Sequence, residues 1–209
     1  MYKPYKQLWG DILFIELGVF ISAVGISLFY GANLGSSPMA TFCDGIHHLL
    51  HISYGAAYSL ANLFFMIVLA VIKLSYIGVG TVLCGLTTGV FIDAVNYILA
   101  PLNLSSYGIT IRLLLAILGI GLMGVGLGMY VAMARGYGAL EGFVIYFSEK
   151  FKVSKGFIKV VEDVLLVFMG YLLGAKIGIA SILAVLLTGP ILNRSVTFFH
   201  KLRGKDVKK

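Results

Sequence analysis

Residues 111–133 read IRLLLAILGIGLMGVGLGMYVAM, with one charge, Arg112, at the second position. An α-helix rises about 1.5 Å per residue, so roughly 20 apolar residues match the ~30 Å hydrocarbon core of a bilayer. In lipid no water pairs with the backbone, so the segment has to be helical. Working outward, spans of the same character are predicted at 11–31, 57–73, 77–99, 157–174 and 177–199. The second and fifth lie near the lower length limit of ~17 residues. Charged residues make up 12% of the 209, about half the ~25% of a soluble domain. That is too little polar surface for a soluble enzyme, and the chain is too apolar for intrinsic disorder. The expected fold class is an all-α membrane protein of six transmembrane helices in one domain, 1–209.

Lys and Arg set the predicted orientation. Lys3, Lys6, Lys73, Arg135, Lys150, Lys152, Lys155, Lys159, Arg194, Lys201, Arg203, Lys205, Lys208 and Lys209 fall toward one face, and only Arg112 and Lys176 toward the other. The basic face is therefore read as cytoplasmic, with both termini on it and 200–209 as a basic cytoplasmic tail. The net charge of +7 is a topology signal and an attraction to anionic lipid, not a nucleic-acid footprint. Lys3 and Lys6 before an apolar run superficially resemble a signal peptide, but the run is about 20 residues long and carries Asp11 and Glu16, so a retained span is expected. Cys43 and Cys84 fall in a loop and within a span, which argues against a disulfide between them.

The chain also repeats itself. Gly18 to Tyr76 aligns without gaps on Gly119 to Ile177 at an offset of 101: Val24-Gly25 on Val125-Gly126, Gly35 on Gly136, Phe42 on Phe143, Ser53-x-Gly55 on Ser154-x-Gly156. At an offset of 100, Gly78 to Leu83 matches Gly178 to Leu183, and Thr88-Gly89-x-x-x-Asp93 matches Thr188-Gly189-x-x-x-Asn193. Polar and glycine positions recur in fixed order, which two merely greasy segments would not do. Each copy (11–99 and 111–199) has three spans, an odd number, so the second enters the membrane from the opposite side. The expectation is a 3+3 inverted-topology repeat, with a site near the midplane.

Gly31-Ala-Asn-Leu-Gly-Ser-Ser-Pro38, and Gly78-Val-Gly-Thr81 at the start of the third span, resemble the YczE/YitT-type family of bacterial integral membrane proteins over about 18–199. The resemblance implies a location and a fold more than a chemistry, since most members have no assigned activity. Ala139 stands where Pro38 stands in the first copy, so the two loops need not bind a ligand equally.

Residues 38–51 and 138–151 read as short amphipathic helices, either lying at the interface or re-entering the bundle. Pro38 suits a first helical turn, with Ser36 or Ser37 as N-cap. A re-entrant helix would aim unpaired N–H groups at a solute, with Asn33, Ser36 and Ser37 beside the first and Arg135 and Glu141 beside the second. Thr87, Thr88 and Asp93 in the third span, and Thr188 and Asn193 in the sixth, form either a small-residue packing face or a site wall. Asp93 is an intramembrane carboxylate, a functional candidate that either carries a proton or pairs with an Arg or a helix terminus. Asp163 aligns with Asn62, while Glu162 lies three residues from Lys159, within ion-pair reach.

Asp44, His47, His48 and His51 put only two ligands on any one helix face, too few for zinc, so no metal and no cofactor are expected. HExxH, G-x-S-x-G and Walker patterns are absent from the sequence, and no enzyme is expected. The function expected is a transporter or permease-like protein of the inner membrane, moving a small-molecule or ion solute between the repeats. A membrane binding or assembly subunit and a lipid translocase are the alternatives. The lipid bilayer is the expected partner, along with a possible homodimer or membrane partner protein, and no nucleic acid.

Overall fold

The computed structural model describes residues 5–202. Lys3, Arg203, Lys205, Lys208 and Lys209, and with them most of the basic tail, lie outside the described residues. The chain is helical throughout, with no strand among the described residues. Among the described residues eight α-helices follow in order: α1 (Tyr5–Gly31), α2 (Pro38–Leu50), α3 (Tyr54–Lys73), α4 (Val79–Leu99), α5 (Ile109–Ala132), α6 (Ala139–Phe151), α7 (Lys155–Leu172) and α8 (Ile179–Leu202). All six predicted spans are helices, with cores close to the predicted limits. Five are long and apolar enough to cross a bilayer: Leu8–Gly31, Tyr54–Tyr76, Val79–Leu102, Ile109–Ala132 and Ile179–Leu202. The predicted span 157–174 forms α7, but Lys155, Lys159, Glu162 and Asp163 make it more polar than the others.

Local chemistry starts and stops these helices. Ser53 and Ser154, each one residue before its helix, accept from the N–H groups of Ala56 (3.0 Å) and Phe157 (3.2 Å). Each is an N-cap satisfying one orphan donor of the first turn. The short helices end at His51 (φ 52°) and Lys152 (φ 54°), left-handed residues that turn the chain directly into α3 and α7.

The centre of the bundle is the crossing of α1 and α5. A Cβ on Gly18 would stand 2.7 Å from the Gly126 carbonyl, and one on Gly119 would stand 2.6 Å from that of Gly25. Gly18 meets Gly126 and Gly25 meets Gly119, so the helices run antiparallel with their backbones in contact. Lipid tails supply no hydrophobic drive between helices, and small residues allow the close packing that replaces it. α4 packs on α1, α8 on α5, and α2 on α7. Large apolar side chains such as Val71, Val90, Val164 and Leu186 face outward.

The loop after each central helix is stitched to the start of a helix from the other half of the chain. Leu34 O accepts from Ala180 N–H (3.0 Å), and Ser36 N–H donates to Ser181 Oγ (3.0 Å). At the other end of the bundle Arg135 O accepts from Gly80 N–H (3.0 Å), and Thr81 Oγ1 donates to Tyr137 O (2.6 Å). Gly35 (φ 114°) and Gly136 (φ 124°) are left-handed in these loops, a backbone that glycine adopts freely. Their missing side chains also leave room for Gly178 and Gly78.

Each loop has a charged anchor. Arg112 donates to Ala32 O (2.7 Å) and Asn33 O (2.6 Å). Arg135 reaches Asp11, 3% exposed, through Nε (2.9 Å) and a terminal nitrogen (2.7 Å). Arg135→Ala removes a charged partner from a buried carboxylate and is expected to cost up to about 3–5 kcal/mol. Asp11→Ala/Arg135→Ala together should recover part of that loss, read as the unfolding midpoint in detergent.

Candidate functional site

α2 and α6 dip into the bundle N-terminus first. Pro38, Ala40, Thr41, Phe42, Cys43, Asp44 and Gly45 of α2 are buried, while His48 to Leu50 are exposed. A helix lying on a surface would bury one stripe along its whole length. α2 instead buries every residue of its first two turns except Met39, which is half-buried. α6 follows the same trend, with Gly142 and Val144 buried and Glu149 to Phe151 toward the surface.

The starts of both short helices meet at a cavity of about 230 Å³, backed by the α1–α5 crossing. Ser37 and Met39 border it from α2, Gly138 and Glu141 from α6, Ser22 from α1, and Met123 and Tyr130 from α5. Tyr58, Asn62 and Met66 of α3, Cys84 and Thr88 of α4, Lys159 and Asp163 of α7, and Thr188 of α8 complete the wall. The two halves contribute equivalent positions, among them Asn62 with Asp163 and Thr88 with Thr188.

Of the residues singled out in the sequence, Ser37, Asn62, Thr88, Glu141, Asp163 and Thr188 come together here. Thr88 donates to Cys84 O; Thr188 Oγ1 is buried with no hydrogen-bond partner among the described residues. Asp163 shares Lys159 with Glu162, both at 2.9 Å. The Glu141 carboxylate folds back over Gly138, the N-cap of its own helix.

The remaining candidates lie elsewhere. Asn33 and Ser36 border a second pocket of about 310 Å³ with Tyr30, Asp44, His48 and Lys176. Ser36 Oγ pairs with Thr41 Oγ1 at 2.8 Å. Thr87 donates to Leu83 O (2.9 Å), a bond within its own helix. Arg135 is engaged by Asp11, and Asn193 is exposed on α8. Asp93 sits against the N-terminus of α3, accepting from the Gly55 N–H (2.8 Å) and the Ser53 hydroxyl. Among the histidines, His48 Nε2 lies 3.5 Å from Asp44 Oδ1, and no group of three or more His, Cys, Asp or Glu that could hold a metal ion occurs among the described residues.

Sequence reading missed Ser22, Tyr58, Tyr130 and the three methionines of the wall. Ser22 had a usable signal: it lies four residues after Gly18 and three before Gly25, on the small-residue face of α1. Tyr58 and the methionines look like ordinary packing residues until tertiary structure turns them inward.

The cavity is flanked unequally. α3 lies along α4, with Gly55 and Gly89 in backbone contact and Asp93 clasped to the start of α3. α7 stands off α8, and a Cβ on Gly156 or Gly189 would meet nothing within 4 Å. The clasp is at the end where α3 starts and α4 finishes, called here the far end. Lys159 and Asp163 of α7 and Gly189 and Leu192 of α8 border the cavity on the α7–α8 side; the end where α7 starts and α8 finishes carries Lys150, Lys152, Lys155 and Lys201 and is called the basic end.

Long apolar helices stitched around an internal cavity define a multi-pass integral membrane protein. The chain belongs to a family of unknown function, DUF6198, whose profile matches residues 9–197. It is 28% identical over 184 residues to the uncharacterized membrane protein YczE of Bacillus subtilis (strain 168), covering 88% of this chain and 84% of that one. It is also 25% identical over 198 residues to an uncharacterized protein of Haemophilus influenzae, covering 95% and 87%. No solved structure matches the chain.

Proposed function

We propose that the protein is a non-catalytic transporter that carries a small solute by alternating access between two inverted repeats, 11–99 and 111–199. The observation that carries this reading is the unequal pairing of equivalent helices: α3 is closed on α4, while α7 is parted from α8. Two copies of one unit in two arrangements are what alternating access requires, and exchanging the arrangements would move the opening from one end to the other.

The inverted relation is supported by the central crossing. Gly18 and Gly25 have Gly119 and Gly126 as equivalents, and each glycine meets the equivalent of the other. Such reciprocal contacts are the signature of a twofold axis. Between antiparallel helices that axis runs across them, in the plane of the membrane. The paired loops obey the same rule. By the positive-inside rule the basic end is cytoplasmic, so the state described is open inward.

The test needs no knowledge of the solute. Cys84 lines the cavity and Cys43 is buried, so a Cys43→Ala protein leaves Cys84 as the reporter. In sealed vesicles of known orientation, a membrane-impermeant maleimide should reach Cys84 from the basic end readily and from the far end slowly. Oxidising a Ser53→Cys/Asp93→Cys pair, which would fasten the start of α3 to α4 at the clasp, should abolish only the far-end reaction, and a reductant should restore it. A Cys84 that never reacts from the far end, before or after reduction, would overturn the reading.

A further inference from the structure

We infer that the cavity takes a small organic monocation, held by Glu141 and Asp163 with its apolar body against Met39, Met66, Met123 and the Tyr58 ring. This rests on the transporter reading of the same cavity and names its substrate class.

The wall carries more negative charge than its partners neutralise. Lys159, the one lysine or arginine that borders the cavity, is shared at 2.9 Å by Glu162 and Asp163. Glu141 makes no hydrogen bond or ion pair among the described residues, and no capping bond to its own helix. Three carboxylates therefore stand around a single ammonium. The starts of α2 and α6 also open on the cavity, and a helix N-terminus contributes about half a positive charge. Together they offset about one unit and leave about one negative charge uncompensated. An uncompensated charge at membrane depth is costly, so a ligand with a single positive charge completes the site. The surplus belongs to the second repeat, because the positions equivalent to Glu141 and Asp163 are Ala40 and Asn62.

Tyr58 and Asn62 point to a ligand independently of that charge. Tyr58 is 8% exposed, and its hydroxyl has no hydrogen-bond partner among the described residues. That hydroxyl is not sealed in packing as those of Ser22 and Thr188 are, so the surface it keeps opens on the cavity that its side chain borders. Asn62, one turn further along α3, borders the cavity with its amide likewise unpartnered. Buried polar groups are seldom left unpaired, so the oxygens of both side chains are free for a cationic ligand beside Glu141 and Asp163.

The rest of the lining separates an organic monocation from its competitors. An anion would add to the surplus of negative charge. Hard metal ions such as Ca²⁺ and Mg²⁺ take about six or more oxygen ligands. Here three thioethers and an aromatic ring make up much of the wall, and no group of three or more His, Cys, Asp or Glu is placed to hold a metal ion among the described residues. An alkylammonium carries its charge beneath apolar groups. Aromatic rings attract such a charge, and polarizable sulfur adapts to its shape. A volume of about 230 Å³ suits a body somewhat larger than benzene, since engineered cavities of ~150 Å³ hold benzene.

Alkylation of Cys84 by N-ethylmaleimide in the Cys43→Ala protein tests the inference, with tetramethylammonium and choline as probes at constant ionic strength. The controls are tert-butanol and pivalate, bodies of similar shape that are neutral and anionic, and sodium chloride. The two cations are expected to slow alkylation, choline more because it fills the volume better, while the controls leave it unchanged. Glu141→Gln should raise the concentration for half-protection about tenfold. Asn62→Asp, which gives α3 the carboxylate of α7, should lower it about tenfold, the effect of one unit charge several ångströms from the ligand. A wall acting through shape alone would not answer two nearly isosteric changes with opposite signs. Protection by neither cation, equal protection by tert-butanol, pivalate or sodium, or shifts of one sign in the two variants overturns the ligand class. Occupancy is read in the resting state and needs no alternation. Lost protection with far-end labelling intact therefore removes the ligand alone, and lost far-end labelling with intact protection removes the transporter.

Discussion

Leucine at Gly25 is expected to yield no folded protein, and alanine there to cost about 1–3 kcal/mol, the usual penalty for overpacking. The new Cβ would meet Met123 N and Gly119 O, the latter 2.5 Å away. These are main-chain atoms of α5 that no rotamer change can withdraw. The crossing would have to widen, and the loops stitched at both ends would be pulled from Gly80 and Ala180. Gly126, pressed against Gly18 O and Ser22, should behave alike. Gly121 provides the control on the same helix, because a Cβ there meets nothing within 4 Å. Gly121→Ala should be neutral or stabilise by up to about 1 kcal/mol through helix propensity. Thermal unfolding in detergent separates the outcomes. Equal tolerance at 25 and 121 would mean that backbone contact does not hold α1 to α5.

Asp93→Ala should open the far end. The carboxylate fastens α4 to α3 through the Gly55 N–H and the Ser53 hydroxyl, both charge-assisted. At about 1.5 kcal/mol each, the lower end for such bonds, their loss moves the closed-to-open ratio by about 3 kcal/mol, or roughly a hundredfold. The far-end rate of Cys84 labelling should rise accordingly, with the basic-end rate little changed. Asp93→Asn keeps a carbonyl oxygen for the Gly55 N–H and should fall between. A far-end rate that does not move in either variant would show that the clasp does not gate the cavity.

The contrast between Asp93 and Asn193 shows where sequence reasoning stopped. As letters they occupy equivalent positions after Thr-Gly, and both were candidate site residues. In the structure Asp93 is engaged by the start of α3, whereas Asn193 is exposed on a helix that α7 has left. Two like segments can take two unlike arrangements, and the choice between them depends on packing that neither segment contains. Arg135 was read as a loop residue near a binding helix, and its guanidinium is instead engaged by Asp11, 124 positions away in the chain.

The sequence by itself determined which segments are helical and close to where each begins and ends, the asymmetry of the basic residues, and the pairing of like positions 100 or 101 apart. Those properties are legible because hydropathy, charge and capping act over a few neighbouring residues, and a bilayer demands backbone pairing within each segment. Only the tertiary structure decided which polar groups face the cavity, which are engaged in holding loops, and at which end the bundle is parted. The bonds that decide it join residues as far apart as Ser36 and Ser181, 145 positions apart, and their geometry is set by helix crossings that no local pattern encodes.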